Sequence, residues 1–342
     1  MNVNPSADRS DDALVSSLSH LLFDLPDALW TDGRVHSKIW DAALLDPARD
    51  ILSRSGKGFR ARLLEHSWVL AGGARNEIPE LLPVAIELLH VGSLVIDDIE
   101  DDSSLRRGEP ALHRRYGLPL ALNTGNWLYF LSLAFVSRLP FGPERRLALY
   151  EDISLGLLRC HQGQALDLSV PVTSLPRGDV HALVSTTTRF KTGALMGLAS
   201  VLGARAAGAS PEVVDTIGSF GTEVGVGLQM LDDWSSLSVD ARADKGLEDL
   251  RLARPTWPWA WLAECGDQVT YAETVHKARD ASIDWELDKV RERMLARLAH
   301  VAPDLIQAQL TNAIEGLRTG LGSETGVHEI ENELEQLARA YG

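Results

Sequence analysis

Residues 83–108 constrain the fold of this chain more than any other stretch. They read PVAIELLHVGSLVIDDIEDDSSLRRG: an apolar segment, then a run of carboxylates, then two adjacent arginines. Residues three and four positions apart lie on one face of a helix, so Asp97 and Asp101 are one turn apart, with Asp98 beside them. The spacing therefore predicts an apolar helix that ends in an edge of carboxylates.

Such a cluster is costly, because like charges at this spacing repel unless cations lie between them. Mg²⁺ suits the cluster, since it prefers hard oxygen ligands and binds through one or two carboxylates plus substrate phosphates. Arg106 and Arg107 add forked donors that match phosphate oxygens. The pattern thus indicates a site for metal and phosphate, and the alternative interpretation is a solvated acidic helix end.

Composition narrows the class of protein. The chain has 342 residues, of which 45% are apolar and 24% charged, as in globular proteins. No segment reaches the roughly 18 apolar residues of a membrane span, and the polar N-terminus predicts no signal peptide. The net charge of −15 argues against nucleic-acid binding. Cys160 and Cys265 form no disulfide or zinc pattern, and we expect a cytoplasmic protein.

Helical periodicity runs through the chain, and no alternating strand pattern flanked by turn signals is found. We expect residues 1–10 to be disordered and residues 11–342 to form a single all-α domain, with breaks at Pro26 and at 31–33. Helices are predicted near residues 11–50, 79–101, 119–139, 144–168, 180–202, 269–300, 303–321 and 327–341. A further helix follows the loop at residue 56 and stops at Gly72–Gly73, and another long run opens at Pro211 and is free of proline until Pro255.

The stretch 83–108 resembles the first aspartate-rich motif of the trans-isoprenyl diphosphate synthases, the polyprenyl synthetase family. It is most similar to the geranylgeranyl type, whose pattern is IDDIEDxSxxRRG. The resemblance implies the isoprenoid synthase fold, a helical bundle with a central apolar cavity faced by two aspartate-rich helix ends. It also implies two or three Mg²⁺ ions, a homodimer, and two substrates, isopentenyl diphosphate and an allylic prenyl diphosphate.

Two motifs accompany the first acidic one. Residues 56–60 read GKGFR before a predicted helix, where backbone N–H groups favour an anion, and they resemble the family's GK-x-x-R motif, although Ala61 stands where proline is usual. His90 lies seven residues before Asp97, on the same stripe of the helix. A packed core histidine is the alternative for His90. The resemblance implies that isopentenyl diphosphate is bound by Lys57, Arg60, His90 and Arg107.

Farther along, residues 161–167 read HQGQALD and are similar to the family's GQxxD segment. Residues 191–193 resemble its KTG motif, whose lysine contacts the allylic diphosphate. The resemblance therefore assigns Lys191 and Thr192 to that substrate, together with Arg106. For a lysine in isolation, the alternative is a solvated side chain.

The second acidic motif reads QMLDDWSS and includes Gln229, Asp232 and Asp233. With DLRLARPTWP downstream, it fits the family's Q-x-x-DD…DLxxGKxTxP sequence, with departures. Ser236 replaces the last aspartate, as geranylgeranyl-type members allow. Arg254 stands in place of the usual lysine. The resemblance implies metal ligands Asp97, Asp98, Asp101, Asp232 and Asp233, and substrate contacts from Gln229 and Arg254.

Product length is predicted from the depth of the cavity below the first acidic motif. In the family, short-chain synthases carry an aromatic residue five positions before the first aspartate, where this chain has Gly92. Ser93 lies one helical turn below Asp97, a rise of about 5.4 Å, close to one isoprene unit. We expect geranylgeranyl diphosphate as the product, with Trp127 as a deeper stop. Alternatively, Gly92 only lets two helices pack closely.

Three functions are compatible with these motifs. A prenyl-elongating synthase needs a metal site and a second diphosphate site, and the motifs supply both. A class I terpene cyclase needs only the metal site plus aromatic side chains that stabilise carbocations, which Trp127 and Trp234 could provide. A non-catalytic partner subunit of a prenyl synthase would lose metal ligands, whereas DDIED is intact. The first function is the one we predict, with Asp97, Asp98, Asp101, Lys191 and Asp232 catalytic.

Overall fold

The computed structural model describes residues 34–54 and 56–339. The expectations for residues 1–10, Pro26 and 31–33 lie outside these ranges. The chain clusters into two compact units. The first comprises the described residues up to Arg62 together with Glu77–Tyr150, and the second comprises Leu63–Asn76 and the described residues from Glu151 onward. The expectation of one domain stays a prediction.

The first unit is helical except for one small hairpin, in which Leu105 pairs with Pro110 and Arg106 with Glu109. A π-helical turn, Asp41–Leu45, joins its first two helices. Its elements in chain order are α1 (Ser37–Trp40), α2 (Asp46–Ser53), the start of α3 (Phe59–Leu70), α4 (Leu81–Glu100), β1 (Leu105–Arg106), β2 (Glu109–Pro110), α5 (Leu112–Tyr116), α6 (Leu118–Val136) and the start of α7 (Pro143–Ser169).

The second unit contains the remainder of α3 and α7 and all later helices. A π-helical turn spans Arg189–Gly193, and single turns of 3₁₀ helix occur at Val172–Ser174, Arg177–Asp179 and Asp240–Arg242; the 3₁₀ turn Arg75–Glu77 lies at the boundary in sequence between the two units. Its helices are α8 (Val180–Thr188), α9 (Ala194–Ala207), α10 (Pro211–Ser238), α11 (Ala243–Arg251), α12 (Trp257–Cys265), α13 (Gln268–Asp280), α14 (Asp284–Leu298), α15 (Ala302–Leu321) and α16 (Val327–Arg339).

Helix α4 forms the core of the first unit. Pro83 lies in its first turn, where a missing N–H breaks no helical hydrogen bond. The helix is buried along most of its length and packs on α6. Ser132 of α6 donates its hydroxyl to the carbonyl oxygen of Ala85 at 2.8 Å, which satisfies a buried polar group. This packing fixes the direction in which the carboxylates at the end of α4 leave the core.

Helix α10 has the corresponding position in the second unit. It packs on α9 and on the preceding π-helical turn through glycines: a Cβ at Gly221 would lie 2.8 Å from the carbonyl oxygen of Met196, and one at Gly225 would lie 2.8 Å from the Cα of Gly193. Such close approach of helix backbones requires the absence of side chains. The second acidic motif therefore lies on a helix that is held by close packing.

The all-α isoprenoid synthase prediction is confirmed by the helical content and by the structural relatives described below. The predicted helix 269–300 is wrong as a single element, because it breaks between α13 and α14. Ser282 donates its backbone N–H to Glu286 at 2.8 Å and Ile283 is extended, so α14 has a start of its own without proline or glycine.

Candidate active-site elements

The three aspartates of the first motif have different environments. Asp98 is 1% exposed and accepts hydrogen bonds from Arg106 Nε at 2.9 and 3.1 Å, one to each carboxylate oxygen. Burial raises the pKa of Asp98, while the Arg106 guanidinium acts in the opposite direction. Because this bidentate pair occupies both oxygens, Asp98 holds Arg106 in place.

Asp97 and Asp101 lie at the half-buried rim of the same helix end. The side chain of Asp97 is 23% exposed and lies 3.7 Å from Arg106 Nη2. Asp101 ends the helix, and its backbone N–H donates to the Asp97 carbonyl at 2.9 Å, which keeps the two residues one turn apart. The predicted carboxylate edge is therefore present, with Asp98 turned inward.

The carboxylates of Asp97 and Asp101 match the oxygen donors that Mg²⁺ prefers. Among the residues that the structure describes, no three His, Cys, Asp or Glu side chains are grouped closely enough to enclose a metal ion by themselves. Mg²⁺ does not need such a cage, because it ordinarily takes one or two carboxylates and completes its shell with water and phosphate. Asp97 and Asp101 meet that requirement.

The hairpin after α4 brings Arg107 against the glycine-rich loop. Arg107 has a left-handed φ of 54° and donates from Nη1 to the carbonyl oxygen of Arg54 at 2.7 Å. A Cβ at Gly56 would lie 2.4 Å from Arg107 Nη2, so the guanidinium packs directly on the backbone of this glycine. Arg54 in turn donates to the Arg106 carbonyl at 3.1 Å. The first unit therefore brings the GKGFR and RRG motifs together.

Arg60 and His90 meet in the same unit. Arg60 Nη1 and His90 Nε2 are 3.1 Å apart. Arginine has no acceptor, so Nε2 accepts and the proton of a neutral imidazole lies on Nδ1. Burial, with added repulsion from Arg60 and Arg107, lowers the pKa of His90 well below its ordinary value. His90 is therefore a neutral residue in a cationic environment, and Lys57 is exposed in the loop before α3.

Sequence reasoning did not single out Glu87, which supports this loop. Glu87 is buried and accepts the backbone N–H of Ala61 at 3.1 Å. Burial raises the pKa of Glu87. A proline, which is usual at position 61 in the family, has no N–H to donate, so the hydrogen bond to Glu87 depends on the alanine at this position. In the sequence, the indication of this role was a single acidic residue within the apolar run PVAIELL.

In the second unit, Lys191 pairs with Asp167. Lys191 Nζ lies 2.7 Å from Asp167 Oδ2, and Arg254 donates to the carbonyl oxygen of Asp167 at 2.8 Å. A Cβ at Gly163 would lie 2.4 Å from the backbone nitrogen of Lys191, so this glycine lets α7 approach the π-helical turn. Lys191 is thus held beside a carboxylate, which differs from the alternative of a solvated side chain.

A chain of hydrogen bonds links the KTG and QxxDD motifs. Thr192 donates to Gln229 Oε1 at 2.7 Å, and Gln229 donates from Nε2 to Asp233 Oδ1 at 2.7 Å. The backbone N–H of Trp257 donates to Asp233 Oδ2 at 2.9 Å. Burial raises the pKa of Asp233 to about 7. Both oxygens of this buried carboxyl are therefore used within the protein.

Asp232 is bound by two cations that the sequence analysis did not select. Arg242 Nη2 lies 2.6 Å from Asp232 Oδ1, and Lys245 Nζ contacts Oδ2. Burial acts to raise the pKa of Asp232, but the charges of Lys245 and Arg242 outweigh it and lower the pKa. Ser236, where the family has an aspartate, is buried and donates its hydroxyl to the carbonyl oxygen of Asp232 at 2.9 Å.

The residues predicted to control product length lie on α4 and α6. A Cβ at Gly92 would lie 2.9 Å from the carbonyl oxygen of Gly125 and 3.3 Å from Leu128 Cβ, so Gly92 marks a close crossing of the two helices. Ser93 is half-buried and donates to the His90 carbonyl at 2.7 Å. Trp127 is half-buried on α6. A bulky side chain at position 92 would have to separate the helices.

The tryptophan-rich segment after the second motif is structural. Trp257, Trp259 and Trp261 belong to the hydrophobic core of the second unit and are 0–6% exposed. Trp234 packs edge-on against Trp261, with ring centroids 6.4 Å apart. Trp257, Trp259 and Trp261 are core residues and Trp234 is partly buried against them, so packing accounts for all four aromatic side chains.

In each unit, an apolar helix ends in carboxylates that lie beside arginine or lysine side chains. Such an arrangement suits an enzyme whose substrates are diphosphates with an apolar chain. Residues 41–291 match the polyprenyl synthetase family. The chain therefore belongs to that family, and the resemblance identified from the motifs is confirmed.

Sequence relatives include two geranylgeranyl diphosphate (pyrophosphate) synthases. That of Dictyostelium discoideum is 31% identical over 71% of this chain and 78% of its own length. That of Sulfolobus acidocaldarius is 32% identical over 58% of this chain, and the match spans 60% of that relative.

Solved structures confirm the fold. The geranylgeranyl pyrophosphate synthase of Corynebacterium glutamicum, solved with isoprenyl diphosphate and magnesium, has a TM-score of 0.77 at 19% identity and covers 97% of both chains. Within residues 34–54 and 56–339, no helix combines the length and the apolarity needed to cross a bilayer.

Proposed function

We propose that this protein is a prenyltransferase that condenses isopentenyl diphosphate with an allylic prenyl diphosphate, with geranylgeranyl diphosphate as the main product. One observation carries the proposal: besides its carboxylates, the first unit assembles a cationic group around a glycine-rich loop, with Arg107 against Gly56 and Arg60 on His90. An enzyme that only ionises one diphosphate has no need for a second anion site. The named functions of the sequence relatives agree with this choice.

The cationic group is the isopentenyl diphosphate site. Arg60 and Arg107 supply forked donors, and Lys57 supplies an exposed ammonium group. Arg60 donates to the neutral His90 imidazole, so the ring orients the guanidinium and adds no charge. Charge-assisted hydrogen bonds to the diphosphate would then hold the homoallylic substrate in a fixed orientation.

Asp97 and Asp101 would hold Mg²⁺ for the allylic diphosphate. The bound ion would supply positive charge that weakens the bond between the allylic carbon and the diphosphate oxygen. Asp98 has a different role, because both of its oxygens accept from Arg106. It positions that guanidinium, and Arg106 is then a donor for phosphate oxygens with its remaining N–H groups.

The reaction breaks the allylic C–O bond, and pyrophosphate leaves with the electron pair. The double bond of isopentenyl diphosphate attacks the resulting allylic cation and forms the new C–C bond. Loss of one proton to the departing pyrophosphate restores a double bond and balances the charge. In the second unit, Lys191 and Arg254 are the cations that the motifs assign to substrate, and positive charge of this kind stabilises a pyrophosphate leaving group.

Product analysis tests the proposal. Purified protein with Mg²⁺, isopentenyl diphosphate and a series of allylic primers should give prenyl diphosphates, identified by mass spectrometry, with geranylgeranyl diphosphate dominant. A hydrocarbon formed from a prenyl diphosphate without isopentenyl diphosphate would instead identify a terpene cyclase. No turnover with any primer would identify a non-catalytic partner subunit.

We also propose that the chain acts as a homodimer. Helix α6 carries Leu118, Leu122 and Phe130 with exposed fractions of 53%, 43% and 69%. Helix α7 carries Leu147, Leu155 and Leu158, each 58–61% exposed. Exposed apolar residues repeated along a helix favour an interface. Sedimentation equilibrium would give twice the mass of the chain, and a monomeric mass would contradict this proposal.

A further inference from the structure

A buried ion pair at the end of α2 supports the hairpin that carries Arg106 and Arg107. Asp50 and Arg54 lie four residues apart, and their side chains are 9% and 4% exposed. Arg54 Nε donates to Asp50 Oδ1 at 3.0 Å, and Arg115 Nη1 donates to Oδ2 at 2.7 Å. Burial acts to raise the pKa of Asp50, but the hydrogen bonds from Arg115 and Arg54 outweigh it and lower the pKa. Asp50 is therefore an ionised carboxylate that orients two arginines.

Both of these arginines also contact the hairpin, one on each strand. Arg54 Nη1 donates to the carbonyl oxygen of Arg106 on β1 at 3.1 Å. Arg115 Nη2 donates to Glu109 Oε2 on β2 at 2.8 Å. Arg106 and Glu109 are paired across the two strands, so the contacts form a closed ring that begins and ends at Asp50. The hairpin is thus attached to α2 through both strands.

The turn of this hairpin needs such support. Arg107 and Gly108 have left-handed φ values of 54° and 79°, as the commonest two-residue hairpin loop requires at both central positions. Glycine adopts this φ without steric cost, whereas arginine does not. A residue persists in such a conformation only when the surrounding structure fixes it. The ring through Asp50 fixes the strand residues on both sides of Arg107.

Arg54 fixes the side chain of Arg107 as well. Arg54 follows α2 with an extended backbone, φ −74° and ψ 127°. Its carbonyl oxygen accepts a hydrogen bond from Arg107 Nη1 at 2.7 Å, and the same guanidinium packs on Gly56. One residue therefore holds the hairpin backbone with its side chain and the Arg107 guanidinium with its carbonyl oxygen.

We propose that Arg54 is a positioning residue for isopentenyl diphosphate: held by Asp50, it keeps the Arg107 guanidinium against the glycine-rich loop. This inference rests on the proposed function for the identity of the ligand and for the role of Arg107. The Arg54 side chain is 4% exposed, so its influence on the substrate passes through Arg107.

Calorimetric titration of isopentenyl diphosphate into the full-length protein tests this role. Arg54→Ala should weaken binding about 10-fold, because the Arg107 guanidinium loses its fixed orientation. In an Arg107→Ala background the same substitution should weaken binding less than about 2-fold, since the group that it positions is absent. Unchanged affinity in Arg54→Ala, or an equal loss in both backgrounds, would overturn the proposal.

Two milder variants separate positioning from folding. Arg54→Lys keeps the charge but lacks the fork that reaches Asp50 and the Arg106 carbonyl together, and Asp50→Asn keeps an acceptor without the charge. In both, the Michaelis constant for isopentenyl diphosphate should rise about 3-fold to 10-fold, while kcat and the constant for the allylic primer change less than about 2-fold. A fall in kcat with unchanged Michaelis constants would reflect loss of folded enzyme and would overturn the proposal.

Arg49→Ala is the matched control, because Arg49 also lies on α2 and pairs with Asp41 at 3.0 Å and Asp46 at 3.3 Å. It should bind isopentenyl diphosphate as the wild type does, and a loss as large as that of Arg54→Ala would overturn the proposal. A wild-type protein that does not bind isopentenyl diphosphate would contradict the proposed function and, with it, this inference. Binding by the wild type that Arg54→Ala fully retains would contradict the inference alone.

Discussion

The two aspartate-rich helix ends differ in how their charge is balanced. At the end of α4, one carboxylate is buried against Arg106, while Asp97 and Asp101 remain at the half-buried rim. At the end of α10, Asp232 is paired with Arg242 and Lys245, and Asp233 is buried with both oxygens hydrogen-bonded. Similar sequence motifs therefore lie in different surroundings, at a half-buried rim in one unit and in a buried, ion-paired turn in the other.

The comparison shows that a metal motif is defined by the neighbours of its carboxylates as much as by their spacing. Like charges one turn apart are costly, and the cost is offset either by an external cation or by side chains of the protein. The first unit pairs Asp98 with Arg106 and has Asp97 and Asp101 at its rim, where we propose that an external cation binds. The second has an arginine and a lysine in the segment that follows the helix.

Removing Asp97 should have the largest effect. Asp97→Ala deletes one of the two carboxylates that we propose bind metal, so turnover should fall by about 1,000-fold or more, the scale expected when charge stabilisation at the reacting centre is lost. Circular dichroism should show an intact fold, because the side chain lies at a helix end. Near-normal turnover at saturating Mg²⁺ would place the metal elsewhere and remove the contrast between the two helix ends.

The cationic group of the first unit should affect one substrate selectively. Lys57→Ala and Arg107→Ala each remove a charge-assisted phosphate contact of about 1.5–3 kcal/mol, so the Michaelis constant for isopentenyl diphosphate should rise about 10-fold to 100-fold. The constant for the allylic primer should change much less in steady-state kinetics. A selective rise for the primer would reverse the assignment of the two diphosphates.

Stability should distinguish the two helix ends directly. Arg106→Ala leaves Asp98 buried without its partner and should cost about 3 kcal/mol in urea denaturation. Arg242→Ala should cost about 1 kcal/mol, because Asp232 keeps Lys245. The double variant Arg106→Ala/Asp98→Asn, which removes the buried charge, should recover most of the larger loss. Equal costs for the two arginine variants would mean that the helix ends do not differ.

Product length should respond to the surface of α4 below the acidic rim. Ser93 is half-buried one turn below Asp97, so Ser93→Phe should shorten the main product by about one isoprene unit, with activity retained. Mass spectrometry of the products measures this shift. Gly92→Phe is the less useful variant, since its side chain would meet the backbone of Gly125. An unchanged product from folded, active Ser93→Phe would place the cavity floor elsewhere.

The sequence predicted the helix and the carboxylate edge of the first motif because both depend on local spacing. Periodicity sets which residues share a face, and the run of apolar residues sets which face is buried. The partners of Asp232 were not predictable in this way. Arg242 reaches Asp232 only because the chain makes a 3₁₀ turn after α10, and neither its proximity nor its direction follows from residue spacing.

Gly92 and Glu87 illustrate the same limit in the first unit. Whether Gly92 faces a cavity or a neighbouring helix depends on the alignment of α4 with α6, which places Gly125 opposite it. Glu87 is a buried acid whose partner is a backbone N–H that a proline at position 61 would lack. Tertiary contacts of this kind have no signature in the spacing of residues along one helix.

The smallest expected effect is a difference in the pH dependence of stability. His90 has a lowered pKa in the folded protein, so below about pH 6.5 the unfolded chain binds a proton that the folded one does not. His90 by itself should therefore make the folded protein less stable as the pH drops from about 7 to about 5.5. The pKa of Asp233 is raised to about 7, so the folded protein holds a proton on this group at pH values where the unfolded chain does not. Asp233 therefore makes the folded protein more stable as the pH falls, which is opposite to the effect of His90.

Urea denaturation at several pH values measures both contributions. The variant His90→Gln, which keeps an acceptor for Arg60, should lose the pH dependence due to His90, and Asp233→Asn should lose the pH dependence due to Asp233. If both variants kept the pH profile of the wild type, neither group would be perturbed by its surroundings, and the electrostatic contrast between the two units would fail.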